Sequence, residues 1–187
     1  MLVDRLLRQG AMTELVGPLS SGRTSLLTLC LRDVTRRGGL AALVDTDHAF
    51  DPVGAATAGV ELRRVLWVRA EGRRRHALKA ADLLVRCPGF SLVALDVGES
   101  PPRLSLGAAF RLRLAARRSG AALLILGAHR VVGGAAVVSI AARRDRLAWA
   151  GPGPVPRRLG GMRSEFHVVR KQGAPATAGI ERLWWTA

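Results

Sequence analysis

The sequence has few cysteines and no long apolar run. Its two cysteines, Cys30 and Cys87, lie far apart and belong to no CxxC pair or Cys/His cluster, which argues against a disulfide framework and a zinc site. We expect both to be reduced residues of the core. No apolar run reaches the roughly 18 to 20 residues that a membrane-spanning helix needs, and residues 1–12 lack the apolar stretch of a secretion signal. The sequence therefore predicts a cytoplasmic protein that does not contact a membrane.

Acidic residues and lysines are also scarce. The chain has 14 Asp and Glu against 29 Lys and Arg, a formal net charge of +15, and its only lysines are Lys79 and Lys171. This charge favours a polyanionic partner, because neutralising phosphates releases counterions and gives affinity that is independent of sequence. We therefore predict non-specific DNA binding. The alternative is that the richness in Ala, Gly and Arg reflects a GC-rich genome without selection for DNA binding.

Apolar runs of strand length alternate with longer segments of helical period. This alternation is typical of βαβ units and of an α/β fold with a mostly parallel sheet. From residue 137 onward the pattern indicates antiparallel strands around a Pro/Gly-rich connection at 151–156. We divide the chain into a core domain, residues 1–172, and a tail, residues 173–187. The predicted strands are 14–17, 40–45, 65–68, 91–96, 121–126, 143–149 and 165–169, and the predicted helices are 24–37, 76–86 and 104–118, with a short helix after Pro52.

The segment between the first strand and the first long helix matches the phosphate-loop pattern G-x-x-x-x-G-K-[ST], except that Arg23 replaces Lys. In such loops backbone N–H groups hold phosphates, the Lys reaches them, and the next hydroxyl, here Thr24, ligates Mg²⁺. Arg23 keeps the charge, but its planar fork is no simple substitute for a compact ammonium, so nucleotide binding can survive while hydrolysis is weak or absent. The alternative is a decayed loop kept only as a strand–helix turn. The predicted nucleotide-binding residues are Gly17, Ser20, Ser21, Gly22, Arg23, Thr24 and Ser25.

Polar residues also follow three other predicted strands. Asp96 ends an apolar strand where an NTPase of this class places the acid that holds Mg²⁺ through water, although a strand-terminal Asp is also a common cap. Asp45 and Asp47 follow the second strand, where one carboxylate can orient an attacking water. His129 follows the fifth strand and either senses the γ-phosphate or is a hydrogen-bonded structural residue. We predict Asp47 and His129 as catalytic candidates, and Thr24 and Asp96 as Mg²⁺ ligands.

The phosphate loop and the segment after the second strand resemble bacterial RecA. The resemblance rests on residues 13–25, on 41–53 with its DxxHAxDP-like stretch, on 58–60, and on 80–86 with the strand that leads to Asp96. It covers about residues 10–145 of the sequence. It implies a RecA-like P-loop NTPase core with ATP and Mg²⁺ as ligands.

Departures from RecA bear on activity. RecA has a water-activating Glu where this chain has Asp47, an adenine-stacking Tyr where it has Gly54, and a Gln that couples nucleotide to DNA where it has His129. The segments that correspond to the two DNA-binding loops of RecA, after Asp96 and near His129, are shortened in this sequence. The N-terminal polymerisation helix and the C-terminal domain of RecA have no counterpart in it. We therefore expect at most a weak ATPase and no strand-exchange filament.

A short RecA-like chain with SSGRTS in the loop and an FDP-containing second motif resembles the ImuA-type proteins. These work beside an inactive Y-family polymerase homologue and an error-prone replicative polymerase in damage-induced (SOS) mutagenesis and translesion synthesis. The resemblance implies a DNA-repair accessory protein with a degenerate ATP site and a polymerase-type partner. The first alternative is a DNA-dependent ATPase or recombinase of the RecA family, and the second is a structural module with an inactive pocket.

Two further surfaces follow from the sequence. We predict that DNA phosphates contact two groups of arginines, Arg73, Arg74 and Arg75, and Arg143, Arg144 and Arg146. The segment 180–185 ends in Trp184 and Trp185 after a linker-like stretch, 173–179. It either docks a protein partner or folds back over an edge of its own sheet.

Overall fold

The computed structural model describes residues 2–99, 103–152, 157–173 and 180–186. In these residues the chain forms one eight-stranded sheet and five α-helices. The elements are α1 (Leu2–Leu6), β1 (Met12–Val16), α2 (Arg23–Arg36), β2 (Leu40–Asp45), α3 (Pro52–Thr57), β3 (Val65–Arg69), α4 (Arg74–Arg86), β4 (Phe90–Asp96), α5 (Leu106–Ser119), β5 (Ala122–Gly127), β6 (Val138–Ala150), β7 (Arg158–Lys171) and β8 (Ile180–Thr186).

The strands lie in the order β3-β2-β4-β5-β1-β6-β7-β8. Every neighbouring pair from β3 to β6 is parallel, and the pairs β6–β7 and β7–β8 are antiparallel. This confirms the predicted α/β fold with a mostly parallel sheet and antiparallel C-terminal strands. Because parallel strands run in one direction, the carboxyl ends of β1, β2, β4 and β5 meet at one edge of the sheet, where α/β proteins bind ligands.

Helices cover both faces of the parallel strands. On one face, α1 and α2 bury Leu6, Leu26, Leu31 and other apolar side chains. On the other face, α4 and α5 bury small residues such as Ala81 and Ala116. All residues of β1 and β5 are buried, and β5 accordingly reads as a continuous apolar run in the sequence. The two helix layers hold the carboxyl edge of the sheet in a fixed arrangement.

Some details of the sequence prediction were wrong. Cys30 is buried as expected, but Cys87 is exposed at the end of α4, so it is not a core residue. The two antiparallel strands are longer than the predicted 143–149 and 165–169, because register shifts along the β6–β7 pair interrupt the alternation that marks a strand. The adjacent prolines Pro101 and Pro102 predict a loop before α5, but they lie outside the described residues. The same holds for residues 153–156 of the predicted connection and residues 174–179 of the linker-like stretch.

The C-terminal segment is the last strand of the sheet. β8 pairs with β7, and Trp185 packs edge-on against Phe166 with ring centroids 6.4 Å apart. The Trp185 indole N–H donates to Ser164 Oγ at 2.9 Å. These contacts favour the alternative in which the segment covers its own sheet edge. The division of the chain at residue 172 stays a prediction.

The helices are short. The longest of those described, α2 and α5, have 14 residues each. In the part of the chain that the structure describes, no helix is long and apolar enough to cross a membrane.

Candidate functional site

The loop from Gly17 to Gly22 joins β1 to α2 at the carboxyl edge of the sheet. Gly17 N donates to Gly127 O at 3.1 Å, which ties the start of the loop to the end of β5. Gly22 has φ 90°, a left-handed conformation that favours glycine. A Cβ at Gly22 would overlap Ser164 Oγ and lie 2.9 Å from Trp185 Nε1. The loop therefore packs directly against β7 and β8, and this position tolerates only glycine.

Two polar side chains of the loop are buried. Ser21 is 1% exposed and Arg23 is 5% exposed. The Arg23 guanidinium folds back into the loop, where Nη1 donates to Gly17 O and Nη2 donates to the Glu99 carboxylate. Ser21 Oγ and Arg23 Nε have no hydrogen-bond partner among the described residues. The loop thus encloses hydrogen-bonding groups that its own atoms do not satisfy.

The first turn of α2 borders a groove of about 530 Å³. Thr24 and Ser25, both half-buried, line this groove, and so do Trp184 and Trp185 of β8. Gly54, at the position of the adenine-stacking Tyr of RecA, also lines the groove. The sequence does not connect the tryptophans with this site, because they lie more than 150 residues from the loop and the β7–β8 pairing brings them there.

Asp96 ends β4, near the Arg23 side chain. It is 4% exposed, and its Oδ1 accepts from Gly98 N at 2.9 Å. Burial raises the pKa of Asp96 above the ordinary carboxyl value, while the Gly98 N–H and the nearby Arg23 charge act in the opposite direction. Asp96 and Arg23 are therefore close enough to interact electrostatically.

Asp45 is not available to orient a water. Its carboxylate accepts hydrogen bonds from Ala49 N at 3.0 Å, Phe50 N at 3.1 Å and Trp67 Nε1 at 3.3 Å. These bonds hold the turn that follows β2, so Asp45 is a structural residue.

Asp47 is exposed on the far side of that turn. Its Oδ2 accepts from Glu99 N at 3.4 Å, and a Cβ at Gly98 would overlap the same carboxylate. Asp47 therefore contacts the backbone of residues 98–99, whose Glu99 side chain binds Arg23. The structure brings together Arg23, Asp47, Asp96 and the unpredicted Glu99.

His129 is exposed two residues after Gly127, which bonds the start of the loop. The backbone after His129 is held by Glu14, which sequence reasoning missed. Glu14 is fully buried, and it accepts from Val131 N at 2.6 Å, Val132 N at 3.1 Å and Ser139 Oγ at 3.0 Å. An acid in the middle of a buried strand is the sequence signal for such a residue, because a buried carboxylate needs several donors.

The acidic groups do not form a protein-only metal centre. Across the described ranges, no three His, Cys, Asp or Glu side chains lie close enough together to hold a metal ion. A cation at this edge would therefore need ligands besides these groups, such as the Thr24 hydroxyl and phosphate oxygens. The predicted pair of Mg²⁺ ligands, Thr24 and Asp96, stays a prediction.

The two predicted arginine groups do not form one patch. Residues 73–75 lie at the start of α4, next to the edge strand β3, whereas residues 143–146 lie on β6, the sixth strand in the sheet order. On the second site, Arg143 and Arg182 both donate to the Glu165 carboxylate at 2.7 Å, and they lower the pKa of Glu165 to about 2. Part of this charge is therefore internally neutralised.

Comparisons with known proteins agree with the geometry. Residues 6–109 match the family model described as the RecA N-terminal domain. The chain is 40% identical over 99 residues to Protein RecA of Prochlorococcus marinus strain MIT 9211, which covers 52% of this chain and 27% of that protein. It is 39% identical over 120 residues to Protein RecA of Synechococcus sp. strain CC9605, covering 59% of this chain and 32% of that protein. The chain thus spans about a third or less of the length of these relatives.

A solved structure extends the likeness to nearly the whole fold. The crystal structure of the RadB recombinase superposes with a TM-score of 0.65 and 18% identity, covering 96% of this chain and 91% of that one. At this identity the likeness concerns the fold alone.

Proposed function

The chain belongs to the RecA family, since the RecA N-terminal domain model matches more than half of it, and on this premise we propose that it is an accessory protein of DNA repair with a degenerate ATP site. In this proposal it binds Mg-ATP, hydrolyses it at most weakly and does not act as a full recombinase. One observation carries the proposal: the loop joins β1 to α2 at the carboxyl edge of the sheet, but the buried Arg23 side chain is bound to Gly17 O and Glu99.

The residues of the loop fit a nucleotide. Ser21 Oγ and Arg23 Nε are buried donors without partners, and phosphate oxygens would satisfy them. The adjoining groove of about 530 Å³ has room for a base, and Trp185, on the core-facing side of β8, offers aromatic surface for it where Gly54 has none. Gly17, Ser20, Ser21, Gly22, Arg23, Thr24 and Ser25 would hold the phosphates.

Thr24 and Asp96 are the residues that would hold Mg²⁺. Thr24 follows Arg23 in the motif, and the buried Asp96 carboxyl interacts electrostatically with the Arg23 guanidinium. When bound, Mg²⁺ neutralises phosphate charge and orients the phosphate chain.

The carboxylates support binding without efficient hydrolysis. Activating a water needs a carboxylate free to accept its proton. The two Asp45 carboxylate oxygens accept three hydrogen bonds, two from backbone N–H groups of its own turn and one from Trp67 Nε1. Asp47, one methylene shorter than the Glu of RecA, contacts the Glu99 backbone. His129 stays a candidate for sensing the γ-phosphate.

The partners are proposed from charge and resemblance. A net charge of +15 supports non-specific DNA binding through phosphates. The resemblance to ImuA-type proteins supports a polymerase-type partner in SOS mutagenesis and translesion synthesis. The segment between β5 and β6 is only residues 128–137, and it is held by Glu14, which argues against a long mobile DNA-binding loop there.

One experiment tests this function. Mg-ATP affinity and turnover are measured with and without single-stranded DNA, and we expect binding with little turnover in both conditions. Thr24→Ala should lose Mg²⁺-dependent affinity, whereas Thr57→Ala, which removes an exposed hydroxyl at the end of α3, should not. DNA-stimulated turnover would instead identify a DNA-dependent ATPase or recombinase, the alternative that the retained Thr24 and Asp96 favour. No binding at all would leave a structural module.

A further inference from the structure

The Arg23 guanidinium is held by a residue outside the phosphate-loop motif. Its Nη2 donates to Glu99, which lies 76 positions along the chain. The Arg23 side chain is 6% exposed, whereas the Glu99 side chain is 36% exposed. An arginine keeps its charge under all ordinary conditions, so a buried guanidinium needs an anion beside it. In the free protein Glu99 is that anion.

Glu99 satisfies the loop only in part. Arg23 Nε and Ser21 Oγ, both buried, have no hydrogen-bond partner among the described residues. A carboxylate has two oxygens on one plane, while a terminal phosphate presents three oxygens in a tetrahedral arrangement. A phosphate at this place would therefore reach donors that Glu99 leaves unused.

The backbone holds Glu99 at the mouth of the loop. Gly98 N donates to Asp96 Oδ1 at 2.9 Å, and Glu99 N donates to Asp47 Oδ2 at 3.4 Å. Gly98 has φ 80°, so the chain turns sharply after β4 and aims Glu99 back at Arg23. The predicted Mg²⁺ ligand and the predicted catalytic Asp47 thus both position this segment.

We propose that Glu99 is a specificity-determining residue of the phosphate site, acting as an internal competitor for Arg23. A phosphate group binds in the loop only by displacing the Glu99 carboxylate, which acts at high effective concentration because it belongs to the same molecule. Bare phosphates are thereby disfavoured. A nucleotide, which gains further contacts in the groove, still binds. The inference rests on the proposed function for the existence of the phosphate site and adds the residue that decides which phosphate compounds enter it.

The test uses inorganic tripolyphosphate, which has the charge of a nucleotide tail but no base for the groove. Its affinity is measured by isothermal titration calorimetry for the wild-type chain, Glu99→Gln and the control Glu61→Gln. Glu61 is a matched control because its side chain is 35% exposed and pairs with Arg63 and Arg64. It also precedes the amino end of β3, whereas the loop lies at the carboxyl ends of the parallel strands. We expect Glu99→Gln to bind about tenfold more tightly than wild type, or about 1.4 kcal/mol, and Glu61→Gln to bind like wild type.

Thermal melting gives a second readout that does not depend on activity. Glu99→Gln removes the carboxylate that contacts Arg23 directly, so the Tm of this variant should fall, and tripolyphosphate should raise its Tm more than that of wild type. Glu99→Ala serves as the second variant and should behave in the same way.

The outcomes separate this inference from the proposed function. Equal tripolyphosphate affinity and equal Tm gain in wild type and both Glu99 variants overturn the inference, and the proposed function stands if all of them bind Mg-ATP. If neither wild type nor the variants bind tripolyphosphate or Mg-ATP, both ideas are overturned. Binding of tripolyphosphate by the Glu99 variants alone supports the inference.

Discussion

The two adjacent tryptophans of β8 provide a sharp test of the structure, because they lie on opposite faces of the strand. Trp185 is partly buried against the core; it packs on Phe166 and donates to Ser164 Oγ. Trp184 is 49% exposed and lies over Gly161. Replacing Trp185 with Ala should therefore cost far more stability than replacing Trp184.

The magnitude follows from what each change removes. A buried Trp→Ala change costs about 3–5 kcal/mol, and the partial exposure of Trp185 places it at the lower end of that range. Its loss also leaves Ser164 Oγ, in a fully buried residue, without its partner, a penalty of about 1 kcal/mol. We expect Trp185→Ala to lower the free energy of unfolding by about 4 kcal/mol in total. For a chain of this size that lowers Tm by about 8–16 °C. Trp184→Ala should cost about 1 kcal/mol at most.

The assay is unfolding in urea, monitored by far-UV circular dichroism because tryptophan fluorescence changes with the substitution itself. A similar small effect for both variants would contradict the pairing of β8 with β7. The segment would then be available as a docking peptide, and pull-down of a polymerase-type partner should fail when residues 180–187 are deleted although Tm is unchanged.

Four other predictions follow from single contacts. Arg23→Lys should raise Mg-ATP affinity in a binding titration, because Lys restores a compact charge and cannot bridge Gly17 O and Glu99 as the guanidinium does. An unchanged affinity would mean that the defect lies elsewhere, with Asp47 and Gly54 as the next candidates. Glu14→Gln should lower the free energy of unfolding by about 2–3 kcal/mol, because a neutral amide accepts fewer of the donors around it; an unchanged urea midpoint would refute this. The lowered pKa of Glu165 makes its ion pairs stabilising above about pH 4.5 and lost as pH falls toward 2, so the stability of wild type should fall more steeply in that window than that of Glu165→Gln. DNA affinity should drop steeply between low and physiological salt and drop further when residues 143, 144 and 146 become Ala; affinity that is flat in salt would reject phosphate contacts.

Much of the fold was predictable because it depends on local patterns. Strands buried on both faces give apolar runs, and the helices between them end at Gly or Pro, so the parallel strands were predicted within a few residues. The antiparallel strands were underestimated because three register shifts break the alternation along β6 and β7. The burial of Cys87 was predicted wrongly because a cysteine at the end of a helix can be buried or exposed, and residue type alone does not decide between the two.

The candidate site was predictable only in its loop. Sequence spacing identifies residues 17–25 and Asp96, since a motif and a strand end are both local features. The direction of the Arg23 side chain was not predictable, because its partner Glu99 is brought near by the β4–β5 and β1–β5 pairings and by the turn after β4. The different roles of Asp45 and Asp47 were not predictable either. The conformation of the backbone turn, and not the sequence spacing, decides which of the two carboxylates accepts the N–H groups of the turn.

The contacts of Gly22 link the phosphate loop to the part of the chain where the resemblance to RecA ends. The family match stops at residue 109, yet the loop packs on Ser164 of β7 and Trp185 of β8, and the same tryptophan lines the groove beside Thr24. The surroundings of the loop therefore depend on strands that lie outside the family match. A binding partner that shifted β8 would alter both the edge of the sheet and one wall of the groove. A substitution in β7 or β8 can therefore alter the phosphate loop although it lies outside the motif.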